Sequence, residues 1–166
     1  MNIERILTQS DQLRVRDTLT RLSSRLNRNL SLSDLLDEWS KFVVTVKQGY
    51  QWSMESYTRD LAVRDLIEEV SEGLSMDGRR LVAIAIKDVD DDFIEATHDP
   101  EQPDQTDSAR LEIAWWQYRI PKKPQGKLLD DIQRMGLRVY GISNDLPKPL
   151  QGIPSPQDYE APPEPT

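Results

Sequence analysis

Two pairs of carboxylates stand at helical spacing, Glu69-x-x-Glu72 and Asp88-x-x-Asp91. Side chains three apart share a helix face, so two antiparallel helices carrying them would bring four carboxylates around one magnesium ion and could support metal-assisted hydrolysis of a nucleotide. Ten carboxylates between residues 88 and 112 face only Arg110. A calcium loop is excluded there, because glycine is missing at the turn and no glutamate falls at the bidentate end. The other readings are a solvated acidic face, which like-charge repulsion favours, and a mimic of nucleic-acid phosphates. His98 follows directly and titrates in the range of a general base, yet no serine, lysine or second base is set beside it by sequence. Its commoner role is to end a helix. In contrast, Trp115-Trp116-Gln-Tyr118-Arg119-Ile-Pro-Lys122-Lys123 interleaves aromatic rings with cations, a pattern that can stack on bases or proline and hold acidic groups. Core filling is the competing use of the two indoles. In an extended segment neighbours alternate, so one tryptophan is expected inside and one outside.

The chain that must position these groups has 166 residues, no cysteine and one histidine. That length suits one compact domain. The composition excludes disulfides, thiolate catalysis, cysteine-ligated zinc and any multi-histidine metal site. A net charge of -8 argues against a broad phosphate-tracking surface, so nucleic acid is not the expected partner. Hydrophobic residues make up 37% of the chain, with a mean hydropathy of -0.65, which allows a modest core diluted by polar tails. No window approaches the roughly eighteen apolar residues of a membrane span, nor does the start resemble a signal peptide; the expected location is cytoplasmic.

Apolar residues recur at helical steps through most of the sequence. From residue 3 to 26, Ile6, Leu13, Val15, Leu19, Leu22 and Leu26 predict an amphipathic helix, and residues 4–28 carry six arginines against three carboxylates. Ser31 or Ser33 can cap a second helix with Leu32, Leu35, Leu36, Trp39, Val43 and Val46 inward, stopped at Gly49. Tyr50 and Trp52 fall in the connection. Ser53 or Ser56 can start a third helix burying Tyr57, Leu61, Leu66, Ile67, Val70 and Leu74. Residues 81–86 suit either a buried strand or a helix. Val82, Ile86, Val89, Phe93 and Thr97 continue at steps of three and four, so a helix capped by Asp77 is preferred. An exposed acidic loop is expected over residues 98–110, then an extended stretch ending at Pro121, then a short helix over residues 126–135 stopped by Gly136. Seven prolines between residues 147 and 165 predict a polyproline-like or disordered tail.

Three patterns together resemble a group of small uncharacterised bacterial proteins with no assigned activity. They are Gly49-Tyr50 with Tyr57-Thr-Arg-Asp60-Leu61 and Arg64-Asp65-Leu66-Ile-Glu68-Glu69; Val89-Asp-Asp-Asp-Phe93-Ile-Glu-Ala96-Thr97; and Trp115-Trp116 with Arg119-Ile-Pro121, Pro124, Leu128 and Asp131. The resemblance covers roughly residues 32–136 and implies a mostly helical bacterial protein. It brings no catalytic residue. Separately, the paired carboxylates are similar to the Glu-x-x-Glu and Glu-x-x-Asp helices of all-α nucleotide pyrophosphohydrolases, with Asp in place of Glu at the start of the second pair.

The expected fold is therefore all-α, a small helical bundle with an extended Trp-Trp/Arg-Ile-Pro segment and a proline-rich C-terminal tail. An α+β fold with a hairpin from residues 80–87 and 111–119 is the alternative. The divisions are an Arg-rich amphipathic helix over 1–30, a mainly helical domain over 31–146 and the tail over 147–166. The expected function is that of a non-enzymatic adaptor or regulatory subunit without a cofactor, binding another protein, possibly within a larger assembly. Its contacts would be Arg14, Arg21, Arg25 and Arg28 on the first helix, then Trp116, Tyr118, Arg119, Lys122 and Lys123, then Tyr159 in the tail. The arginines suit carboxylate or phosphate forks, although the first helix could instead dock on its own acidic domain. A magnesium-dependent hydrolase using Glu69, Glu72, Asp88 and Asp91, and an acidic nucleic-acid mimic, are the alternatives.

Overall fold

Four serine and threonine hydroxyls set the starts of the four long helices. A computed structural model describes residues 3–100 and 114–137 of the chain. After a 3-10 turn at Ile3–Arg5, α1 (Gln9–Leu26) is capped by Thr8, α2 (Leu32–Gly49) by Ser31, α3 (Met54–Glu72) by Ser53 and α4 (Met76–Ala96) by Ser75. In each case the side-chain oxygen accepts from a backbone N–H of the first turn, which would otherwise have no partner inside the helix. The first helix therefore begins later than residue 3, because Thr8 offers a cap. Ser75, two residues before the expected Asp77, performs the same role for α4.

Gly49 ends α2 at φ 114, a backbone conformation that a side chain would strain. Tyr50 to Ser53 then turn the chain into α3. Residues 81–86 lie inside α4, so the helical reading holds and the fold is a small all-α bundle. The hairpin of residues 80–87 with 111–119 is thereby excluded. A two-residue antiparallel ribbon is present elsewhere: β1 (Thr97–His98) pairs with β2 (Ile120–Pro121), with Thr97 opposite Pro121. His98 is thus buried in a strand, and the exposed stretch expected from it onward does not begin there. Residues 101–113, with most of that acidic stretch, lie outside the described residues.

One apolar cluster unites these elements. Trp39, Val43 and Val46 of α2, Ile67 and Val70 of α3, and Val82, Ile86 and Phe93 of α4 meet in it. Val15, Leu19 and Leu22 of α1 belong to the same cluster, while Ile6, Leu13 and Leu26 remain on the surface. The first helix thus docks on its own domain. Phe42, outside the predicted stripe, is buried among Trp39, Tyr50, Tyr57 and Phe93. The short α5 (Gly126–Arg134) buries Leu128 and Ile132, and Asp131 accepts from the Met54 N–H at the start of α3 at 2.9 Å.

The Trp-Trp segment departs from the extended expectation. Ala114 takes φ 57, and Trp115–Tyr118 form a 3-10 turn. Consecutive residues there are about 120° apart, unlike the 180° alternation of a strand. Both indoles consequently face inward, edge to face at 5.8 Å, and the expected inside–outside pair is replaced by two buried rings.

Candidate functional site

Helix register decides which carboxylates can act together. On α4, Asp90 points into the protein, where Trp39 Nε1–H donates to it at 2.9 Å. Arg64 of α3 donates to both Asp90 oxygens at 3.2 Å, and to Glu68 at 2.9 Å. The Arg64 guanidinium also lies 4.3 Å from the centre of the Trp116 ring, whose Nε1–H reaches Asp65 at 2.8 Å. This network joins α2, α3, α4 and the 3-10 turn. Its charged members neutralise one another inside the domain, as burial requires.

The four carboxylates selected by spacing are distributed differently. Glu69 accepts from Arg21 at 3.2 Å and from Arg25 at 3.0 Å, Glu72 and Asp88 are exposed, and Asp91 meets Lys87 one helical turn away at 2.6 Å. Among the described residues, no group of three acidic or imidazole side chains is arranged to hold a metal ion. The four carboxylates chosen by spacing therefore do not form such a group. Facing helices put Asp90, which lies outside the chosen pair, at the α3–α4 contact.

The predicted contact residues also separate. Arg14 donates to the Gly73 carbonyl at 3.3 Å and Arg28 grips both oxygens of Glu38 at 3.0 Å, so all four selected arginines of α1 have partners within the chain. Trp116 and Arg119 are buried and cannot serve as surface contacts. Arg119 instead donates to the carbonyls of Ile94 at 3.0 Å and Thr97 at 2.8 Å, and to the Thr97 hydroxyl at 2.8 Å. It thereby adds a donor to the Ile94 carbonyl, which also accepts from the Thr97 N–H, and engages the Thr97 carbonyl just past the end of α4. Its own carbonyl accepts from Tyr57, whose phenol burial pushes well above its ordinary pKa. Tyr118 and Lys123 are exposed, and Lys122 is half-buried with its N–H donating to the Ala96 carbonyl at 2.9 Å. Tyr159 lies outside the described residues. Burial pulls the His98 pKa down and nearby Arg119 and Lys122 reinforce this, so the imidazole is held neutral at pH 7.

One aromatic concavity is not singled out by the sequence. A groove of about 370 Å³ runs between α2 and the start of α3. Trp52 stands at it with half its surface exposed, its ring edge-on to Tyr50 at 5.2 Å. Tyr50 rests in turn against Tyr57 at 5.3 Å and Phe42 at 5.9 Å, so an exposed loop aromatic is backed by a buried stack. The Tyr50 hydroxyl donates to Asp60 at 2.7 Å, and burial with this carboxylate drives the phenol pKa up. Lys41 and Arg59 line the same groove. Glu38 there pairs with Arg28, while Asp60 accepts from Tyr50 and lies 3.7 Å from Arg59, whose side chain is 74% exposed. The surface is therefore aromatic with charges of both signs at its edges, Lys41 and Arg59 beside Asp60 and Glu38.

The signal available in the sequence was the position of Trp52: a large aromatic in a four-residue connection between two amphipathic helices. Two other concavities offer less. One of about 1030 Å³ lies along α1 and the turn after it, lined mainly by amides, hydroxyls and arginines. The other, about 360 Å³, lies over Arg64, Asp90 and Trp115 and borders the internal network. No protein-family model, curated protein or solved structure matches the chain in comparison.

Proposed function

We propose that the chain is a non-enzymatic adaptor that binds another protein, with the Trp52 groove as its principal contact. The observation that carries this reading is the half-exposed indole fixed on a buried aromatic stack. A tryptophan whose position is already set loses little entropy on binding, and such anchors contribute disproportionately to protein interfaces. Lys41 and Arg59 at the edges favour a partner segment with carboxylates. Tyr118 and Lys123 offer a second exposed aromatic–basic patch. None of the described helices is long and apolar enough to cross a membrane.

The test is affinity capture from native lysate with the full chain, with Trp52→Ala and with Met76→Ala, the latter at an 81% exposed residue outside the groove. A specifically recovered protein should persist with Met76→Ala and bind the Trp52→Ala chain roughly thirtyfold more weakly, as loss of about 2 kcal/mol implies. Equal recovery by both variants, or no specific recovery at all, removes the reading.

A further inference from the structure

We infer that the proline-rich segment 147–166 of this same chain occupies the Trp52 groove in the absence of a partner. The inference rests on the reading of that groove as a protein-binding surface and names its first occupant. Three observations meet here.

The first is chemical fit. Proline rings stack on exposed aromatic faces, and a polyproline helix has little conformational freedom left to lose. The groove supplies Trp52 on Tyr50, and the segment supplies seven prolines. The second is charge. Within residues 147–166 stand Asp158, Glu160 and Glu164 against Lys148, while at the groove Glu38 is paired with Arg28, Arg59 lies 3.7 Å from Asp60 and Lys41 is exposed. Exposed Lys41 is thus the groove cation that an acidic segment would meet.

The third is position. The last described residue, Leu137, is turned back by Gly136 at φ 70, and its N–H donates to the Ile132 carbonyl at 3.1 Å. Ile132 adjoins Asp131, whose carboxylate accepts from the Met54 N–H, two residues from Trp52. The chain thus leaves the described fold beside the groove-bearing connection. The nine residues 138–146 can span up to about 30 Å, enough to bring Pro147 to Trp52. A tether of that length gives an effective concentration in the millimolar range, so even a weak site is filled.

Tryptophan fluorescence isolates the site. Of the chain's four tryptophans, Trp39, Trp115 and Trp116 are at most 8% exposed, so acrylamide quenching reports chiefly on Trp52. The segment itself contains no tryptophan. The full chain is compared with a full-length variant in which all seven tail prolines are serine. Quenching should rise about twofold in the variant, as expected when a site kept filled by effective concentration is vacated, and a synthetic peptide of residues 147–166 should reverse the rise. Unchanged quenching in the variant overturns the inference. So does protection that disappears on dilution of the unmodified chain, since the segment would then sit on a second copy. If quenching is unchanged while Trp52→Ala still loses the captured partner, the inference fails alone and the adaptor reading stands. If quenching rises but capture is insensitive to Trp52, the tail assignment stands and the adaptor reading falls.

Discussion

Asp90 shows how much one residue can carry. Its two oxygens receive Trp39 and Arg64, whose side chain is only 6% exposed. Replacement by alanine would leave a buried guanidinium and an indole N–H without their acceptor. Asp90→Ala should therefore lower stability by about 3–5 kcal/mol, read as a shift in urea midpoint, whereas Asp88→Ala on the exposed side of α4 should leave it nearly unchanged. Spacing alone could not distinguish these aspartates. A run with carboxylates at 88, 90, 91 and 92 offers several equally good pairs, and only the azimuth of α4 against α3 selects among them. Acid sensitivity has a different origin. Asp11 accepts from the Ser75 N–H and hydroxyl, and these bonds hold its carboxyl below the ordinary range. A depressed carboxylate contributes fully above its unfolded pKa, about 3.9, and the contribution is lost as pH falls through the lower folded value. The neutral His98 acts in a separate window: its depressed pKa means that stability declines as pH drops below about 6.5, where the unfolded chain takes the proton first. Thermal melts should show two acid-side losses, and Asp11→Asn should flatten the one below pH 4 while retaining the other.

The helices were largely legible in the sequence because their determinants are local. Ser31 and Ser53 cap where polar residues precede apolar stripes, Gly49 stops α2 and Gly136 follows α5, each within one turn of the residues it affects. The Trp-Trp segment was misread because Ala114 adopts a left-handed conformation that alanine rarely takes, and nothing in its neighbours signals this. The Trp52 groove was hidden for another reason: it arises where α2 and α3 meet, from residues 38 to 63, and no single stripe contains it. Helix α1 belongs at this scale too. Its arginines drew attention outward, yet Leu22 is fully buried and Asp11 ties the helix to the start of α4. Leu22→Ala should cost about 2–5 kcal/mol in chemical denaturation, with one cooperative transition, since the leucine belongs to the common core; a separately melting first helix would show no such global loss.

Across the whole molecule, charge is arranged in two ways. Inside, Arg64 with Asp90, and Arg119 with backbone carbonyls, join elements distant in sequence. Outside, Arg21, Arg25, Arg28 and Lys47 bind carboxylates of other elements, bonds of small individual worth that nonetheless engage three of the four α1-side arginines expected to meet a partner. The attachment of the 3-10 turn has one more consequence. Arg119, the Thr97–Pro121 pairing, the Trp116–Asp65 bond and the Gln125 and Lys127 N–H groups on the Tyr50 and Gln51 carbonyls hold residues 114–137 to the rest of the fold. None of these contacts runs along the peptide bonds between residues 100 and 114. Two polypeptides ending and beginning in that interval would keep every described contact between them, so a reporter divided there should reassemble through these contacts alone.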